Sequence, residues 1–288
     1  MTRKNTDDTR RTWLRMILRQ RGIALGGIIL VVIALAALIG PVFSPYPPNE
    51  LTSNFLQAPS RVHWFGTDNF GRDVFVRSLL GTRMSLAIGL ATTILSSMLG
   101  TIIGLTAGLF RGLDYLLMGL MDVIMAFPAL LLAMAVLAAM GRNVANIVVA
   151  LGLVYTPRTA RIVRASTLSV REEAYIEAAR ALGLPWWRIL FRHVLPNVFA
   201  PLVVQGTFVF AYGVLAEAGL SFIGVGIQPP TPSLGNILGD ARAIIREAPW
   251  MTFFPGGIIF ALVMAINLMG DGLRETLDPR LRRMFKGG

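Results

Sequence analysis

Cysteine is absent from the chain, so disulfides, thiolate metal sites and cysteine nucleophiles are excluded. Histidine is nearly absent: His63 and His193 stand far apart in sequence with no acidic cluster beside either, and a metal site is not expected. Charge is scarce too, 15% of residues against 54% hydrophobic, and acidic residues are the smaller share, which leaves a formal net charge of +11 on 288 residues. With a mean hydropathy of +0.62 and apolar residues in long blocks, this is the composition of a membrane protein. The positive excess does not point to nucleic acid, because the basic residues fall between apolar blocks of spanning length, where a cytoplasm-facing membrane surface accounts for them. A phosphate-cradling G-x4-G-K-[ST] loop is missing as well, and no catalytic cluster stands out. The chain is therefore read as no enzyme and as binding no cofactor of its own.

A bilayer core takes roughly 20 apolar residues per helix. That ruler finds five clear spans, at about 23–43, 84–110, 115–140, 194–216 and 249–270, and a weaker one that begins near Val144 and meets Arg158, Arg161 and Arg164. The expected fold is all-α and polytopic, with about six transmembrane helices. The first span is too long for a secretion signal, and no small-residue cleavage site follows before Pro41, so it is read as retained. The expected divisions are a tail at 1–22, the first helix at 23–43, an external loop at 44–83, a core at 84–270 containing a polar loop at 165–193, and a second tail at 271–288. Within the external loop, "GRDVFVRSLLGTRM" at 71–84 mixes apolar and charged residues in the manner of an interfacial helix.

If both termini are cytoplasmic, about 20 of the 27 Lys and Arg fall inside and about seven outside, as the positive-inside rule requires. The opposite orientation inverts the ratio. The stretch "EEAYIEAARALGLPWWRILFRHVLPN" at 172–197 then lies almost wholly in the cytoplasm. Ser169 with Glu172 forms a capping-box pattern, and Gly183 with Pro185 a stop, so a helix of about three turns is expected between them. Ala174, Ala178, Ala181 and Leu182 fall on one face of it, Glu172, Glu173, Glu177 and Arg180 supply charge, and Trp186 and Trp187 suit a membrane interface. From the residues alone, a solvated connector and a docking helix for a cytosolic partner stand about equal.

"EAARALG" at 177–183, followed by "LPN" at 195–197, resembles the EAA motif of ABC-importer permeases. His193, where many members have isoleucine two positions before the Leu-Pro, resembles the peptide-permease branch. "HWFGTDNFGRDVFVRSLLGTRMSL" at 63–86, "GLSFIGVGIQPPTPSLGNIL" at 219–238 and "NLMGDGLRETLDPRLR" at 267–282 are similar to the C-type permease subunit of dipeptide, oligopeptide and nickel importers. The likeness covers nearly the whole chain in order. It implies a type I ABC-importer permease fold in the inner (cytoplasmic) membrane, with alternating access and ATP and Mg bound by partner subunits. The implied partners are a second, homologous permease, two cytosolic ATP-binding subunits and an external substrate-binding protein. The implied coupling contacts are Glu177, Ala178, Ala179 and Gly183, and the implied cargo is a di- or oligopeptide, with glutathione or a nickel chelate as alternatives.

Inside the membrane, Thr92, Ser96, Gly100, Gly104 and Gly108 recur at four-residue spacing and give the second span one small-residue face, for helix packing or for lining a path. Asp122 in the third span is expected either to pair with a basic residue of the cytoplasmic side or to touch substrate. Pro128, a little under two turns on, is expected to kink that helix, as a gate or as static packing. Glu217, at the outer end of the fifth span, could meet a peptide amino group or a binding protein, or pair with Arg242 or Arg246. A proton-driven secondary transporter with Asp122 and Glu217 as carriers is the rival class.

Overall fold

A computed structural model of the chain describes residues 20–277. Most of the expected tails at 1–22 and 271–288 lie outside the described residues. The apolar runs set the long helices. Helix α1, Arg21–Phe43, ends at an extended Ser44, ahead of Pro45, Pro47 and Pro48, which have no N–H to continue a hydrogen-bond ladder. Helix α2, Val74–Leu109, opens at Asp73, whose carboxylate accepts from the Val76 N–H at 2.9 Å. The interfacial helix expected at 71–84 is not a separate element but the first turns of α2. Its mixed composition reflects protein contacts: Val74, Val76 and Leu79 are buried, and Arg77 donates to Pro48 O and Asn49 Oδ1, each at 3.1 Å.

The single span expected at 115–140 is two helices, α3 (Arg111–Met125) and α4 (Ala129–Met140), set at 93°. Pro128 caps α4 and does more than kink a continuous helix. It has no N–H for the carbonyl one turn back, and its ring drives Phe127 out of helical geometry. Helix α5, Val144–Arg171, is capped by Asn143, which accepts from the Asn146 N–H at 2.8 Å. Two short helices follow, α6 (Ala174–Ala181) and α7 (Trp186–Ile189), then a π turn at Leu190–Val194 that opens into α8 (Leu195–Phe222). Helix α9, Leu234–Ala241, and α10, Trp250–Leu277, complete the described chain. Among the described residues there is no strand, only an isolated bridge between Thr67 and Asp73.

Helices α1, α2, α10 and the α7–α8 run are each long and apolar enough to cross a membrane, and the bent α3–α4 pair makes a fifth crossing if counted as one. Helix α5 has 28 residues, about 42 Å at the helical rise, but carries four arginines in its second half. The expected sixth span is therefore present as a helix of sufficient length and insufficient apolarity.

Helix α2 packs along α5 in parallel, Leu95 lying against Gly152 at one end and Gly108 against Thr167 at the other. Thr92, Ser96, Gly100, Gly104 and Gly108 are all buried, and Ser96 Oγ lies 3.2 Å from Thr159 Oγ1. The small-residue face is thus used for packing within the chain. Helix α8 runs antiparallel to α2, and α1 antiparallel to α10. One core lies among α2, α4, α5 and α8, around Ile88, Leu137, Leu151 and Leu220; another lies among α8, α9 and α10, around Val214, Leu234, Leu262 and Ile266.

A Cβ on Gly104 would come within 2.5 Å of the Ala160 carbonyl and 2.7 Å of Val163 Cβ, whereas one on Gly27 would meet nothing within 4 Å. Gly104→Val is expected to cost about 1–3 kcal/mol by overpacking. It should lower the thermal midpoint of the detergent-solubilised protein, while Gly27→Ala leaves it within error or raises it slightly.

Candidate functional site

The polar stretch 172–197 folds as a clamp against the ends of α2, α5 and α8. The capping box expected at Ser169 and Glu172 does not form. Ser169 lies inside α5, which continues to Arg171 because Thr167 and Val163 beneath it are packed, and the next helix starts at Ala174 after Glu173, with no side-chain cap. Helix α6 has eight residues, two turns where three were expected. Its stop is as read: Gly183 takes φ +71°, and Leu184 N–H reaches back to Ala179 O at 3.1 Å.

Ile176 and Ala179 are buried with Val163, Ile189, Val194 and Val198, so they fasten α6 from below. Glu177, Ala178 and Gly183 are exposed, as are Glu172, Glu173, Ala174, Ala181 and Leu182. Three of the four residues expected to make coupling contacts therefore face outward, and Ala179 faces the chain's own core. Arg171 donates to the carbonyls of Gly108 and Leu109, which have no acceptor role left inside α2. Asn197, quoted only as part of a motif in sequence, donates to His193 O at 2.7 Å and to the Tyr175 hydroxyl at 3.4 Å, tying α8 to α6.

Two ion pairs join α3 to α5 near the same end of the bundle. Arg164 holds Asp114 through Nε and Nη2, at 2.5 and 2.6 Å, and Arg161 donates to Asp122. The expected basic partner of Asp122 is thus Arg161. Both side chains remain about half exposed, 61% for Asp122 and 46% for Arg161, at the rim of an open cavity of about 920 Å³ lined also by Arg111, Tyr115 and Met118.

Glu217 is placed differently from every expectation made for it. It is fully buried, accepts from Ser85 at 2.6 Å, Ser233 at 2.8 Å and Ser221 at 2.9 Å, and meets neither Arg242 nor Arg246. Arg242 instead lies over the Phe222 ring, 5.7 Å from its centre. The reason is that α8 runs on past the expected end at 216 to Phe222, and the following segment folds back so that Ser233 caps α9 directly over the carboxylate. Glu217 joins α2, α8 and α9 within the chain.

At the opposite end, the segment 44–73 is held by a polar network that sequence reading missed. Asp68 accepts from the Phe70 and Arg72 N–H groups and from Arg72 Nε at 2.6 Å, and His63 Nδ1 lies 2.8 Å from Asp73 Oδ2. Burial pushes the Asp240 carboxyl above its usual range, with Arg72 and Arg77 pulling the other way. The spacing of Asp68 and Arg72 was the available signal: an i, i+4 acid–base pair flanked by glycines with φ near +70°, Gly66 and Gly71.

A family model described as the binding-protein-dependent transport system inner membrane component matches residues 96–283, and one described as the N-terminal TM domain of oligopeptide transport permease C matches residues 9–59. The chain belongs to this permease family. It is a multi-pass inner-membrane permease, the membrane component of an ABC transport system. A Brucella suis biovar 1 protein named for a peptide transport system permease is 48% identical to the permease over 93% of this chain and 91% of its own length. The dipeptide transport system permease of Alkalihalophilus pseudofirmus is 41% identical over 92% and 88%, and the glutathione transport system permease of Pectobacterium atrosepticum is 41% identical over 95% and 91%.

Removing the Glu217 carboxylate leaves three buried hydroxyls without their acceptor, at a cost on the order of 1–3 kcal/mol. Glu217→Ala should lower the permease's yield and thermal midpoint, and Glu217→Gln less so, with uptake per assembled complex unchanged. A Glu217→Ala protein with a normal midpoint and no uptake would put the residue back in the path.

Proposed function

We propose that the permease is one half of the membrane pathway of an ATP-driven importer of di- or oligopeptides. In this reading it pairs with a homologous second permease, an external substrate-binding protein delivers the cargo, and two cytosolic subunits bind and hydrolyse ATP. The permease itself carries no catalysis. The basic end of the bundle faces the cytoplasm, in keeping with the positive-inside rule.

The observation that carries the reading is the build of α6. A two-turn helix whose buried side chains are Ile176 and Ala179 presents Glu177, Ala178 and the turn at Gly183 outward, beyond the ends of three long helices. Small exposed residues beside a carboxylate allow a cleft on another protein to close around the helix, and the buried pair passes its displacement to α5 and α8. Coupling of this kind needs a partner that binds the helix differently in two states. Peptide cargo is supported by the names of the Brucella and Alkalihalophilus relatives, and glutathione is the second reading, favoured by the Pectobacterium relative. A proton-coupled transporter would require Asp122 and Glu217 as carriers. The enclosure of Glu217 by serines and the pairing of Asp122 with Arg161 weigh against that class.

Glu177→Lys and Gly183→Asp should each reduce uptake of a radiolabelled dipeptide at least tenfold while the permease remains in the membrane and its ATPase partners bind normally or weakly. Gly183→Ala has free space around its Cβ but a strained φ, and should give a smaller loss. Wild-type uptake in both charge variants would overturn the coupling role. Uptake by the parent that collapses on adding an uncoupler with ATP still present would favour the proton-driven class.

A further inference from the structure

The clamp has a second outward surface, of opposite character to α6. In α7 and the π turn after it, Ile189 and Val194 enter the core shared with Ile176 and Ala179, Leu190 packs against that core, and Trp186, Trp187, Arg188, Phe191 and Arg192 are exposed. Trp186, Trp187 and Phe191 are 60%, 51% and 64% exposed. Arg188 follows Trp187 and Arg192 follows Phe191, both exposed and four residues apart, which puts them on one side of the turn. The Arg188 guanidinium lies over the Trp187 ring at 5.3 Å. Trp186 reaches Phe110 edge to face at 6.1 Å, so the patch continues to Phe110 and Arg111 at the start of α3. Among the described residues, no carboxylate lies within ion-pair distance of Arg111, Arg188 or Arg192.

Exposed indole and phenyl rings alternating with uncompensated guanidinium groups, at the ends of spanning helices, match one environment: the boundary where acyl chains meet headgroups. A zwitterionic lipid would satisfy the rings and leave the arginines without net countercharge. An acidic protein surface would answer the arginines but would have to bury three large rings beside helices that enter the bilayer. We propose that this surface binds the headgroup of an anionic phospholipid. Arg188 and Arg192 hold its phosphate, for which the planar guanidinium is well shaped, while Trp186, Trp187 and Phe191 enter the acyl boundary. The site is independent of which cargo the permease carries.

The test is native mass spectrometry of the permease, with whatever subunits accompany it, extracted in mild detergent from vesicles of equal phosphatidylglycerol and phosphatidylcholine. The wild-type protein should retain phosphatidylglycerol over phosphatidylcholine by on the order of tenfold. The double variant Arg188→Gln/Arg192→Gln should lose that preference, and Arg188→Lys/Arg192→Lys, which keeps the charge, should retain most of it. The Lys variant separates loss of charge from loss of fold. Millimolar inorganic phosphate should not displace the lipid; displacement would mean a soluble anion site and overturn the proposal. Equal retention of both lipids by the wild-type protein, or an unchanged preference in the Gln variant, would also overturn it. So would loss of accompanying subunits from the Gln variant with its lipid preference intact, since that would make the surface a protein interface.

Discussion

The parallel approach of α2 to α5 is the constraint on which the rest of the structure depends. Gly100, Gly104 and Gly108 remove the side chains that would keep the two backbones apart, and Thr159, Ala160, Val163 and Thr167 occupy the space. In a bilayer there is little hydrophobic gain in bringing two apolar helices together, so close packing over a long contact has to hold them. Because the pair is parallel, both helices deliver their last turns to the same end of the bundle. There Arg171 of α5 satisfies the final carbonyls of α2, and the chain passes directly into α6. The orientation of the clamp follows from the register of the glycines several turns away.

Much of this was readable from residue order, and the failures have physical causes. The glycine stripe was legible because four-residue spacing on an apolar helix leaves few other uses. The Gly183 stop was legible because only glycine takes its φ without strain. The break at Pro128 was underestimated: proline announces a lost hydrogen bond but not the angle, and the angle depends on what α4 packs against, here a core with Ile147 and Leu220 that it enters through Ala133 and Leu137. The capping box was misread since Ser169 and Glu172 have the right spacing wherever they stand, and the packing of α5 onto α2 carried α5 through Ser169 to Arg171. The outer network escaped notice because His63, Asp68 and Asp73 are assembled by a loop of irregular backbone that carries no periodicity, and Asp240 joins them from α9, far along the chain.

Asp122 and Glu217 looked alike in sequence, two carboxylates in apolar surroundings, and the fold separates them. Glu217 sits at the junction of α2, α8 and α9 with three hydroxyl donors on its two oxygens, an arrangement that fixes geometry and leaves no room for a ligand. Asp122 has one guanidinium partner, stays half exposed and borders open volume. Burying a carboxylate in apolar surroundings is tolerated only when its acceptor capacity is met. Glu217 meets that condition within the chain. Asp122 meets it only in part, which leaves it able to exchange partners.

This difference bears on where the permease can yield. If closure of a cytosolic partner on α6 is to rearrange the membrane part, some contacts must move and others must not. The α2–α5 seam is a poor place to give, since sliding it would drive Thr159, Val163 and Thr167 into backbone where no Cβ fits. Helix α6 is bound to α5 and α8 through one small core and is expected to move with them. Helix α3 is attached more loosely: it has only Met121 fully buried, its links to α5 at this end are two partly exposed ion pairs, and the bend at Pro128 separates it from α4, which is anchored in the core by Ala133 and Leu137. Partly exposed ion pairs contribute at most about 1 kcal/mol each, well below the cost of repacking a helix seam. If a force does arrive through α6, the weakest contacts in its way are those between α5 and α3, beside the cavity that Asp122 and Arg161 border.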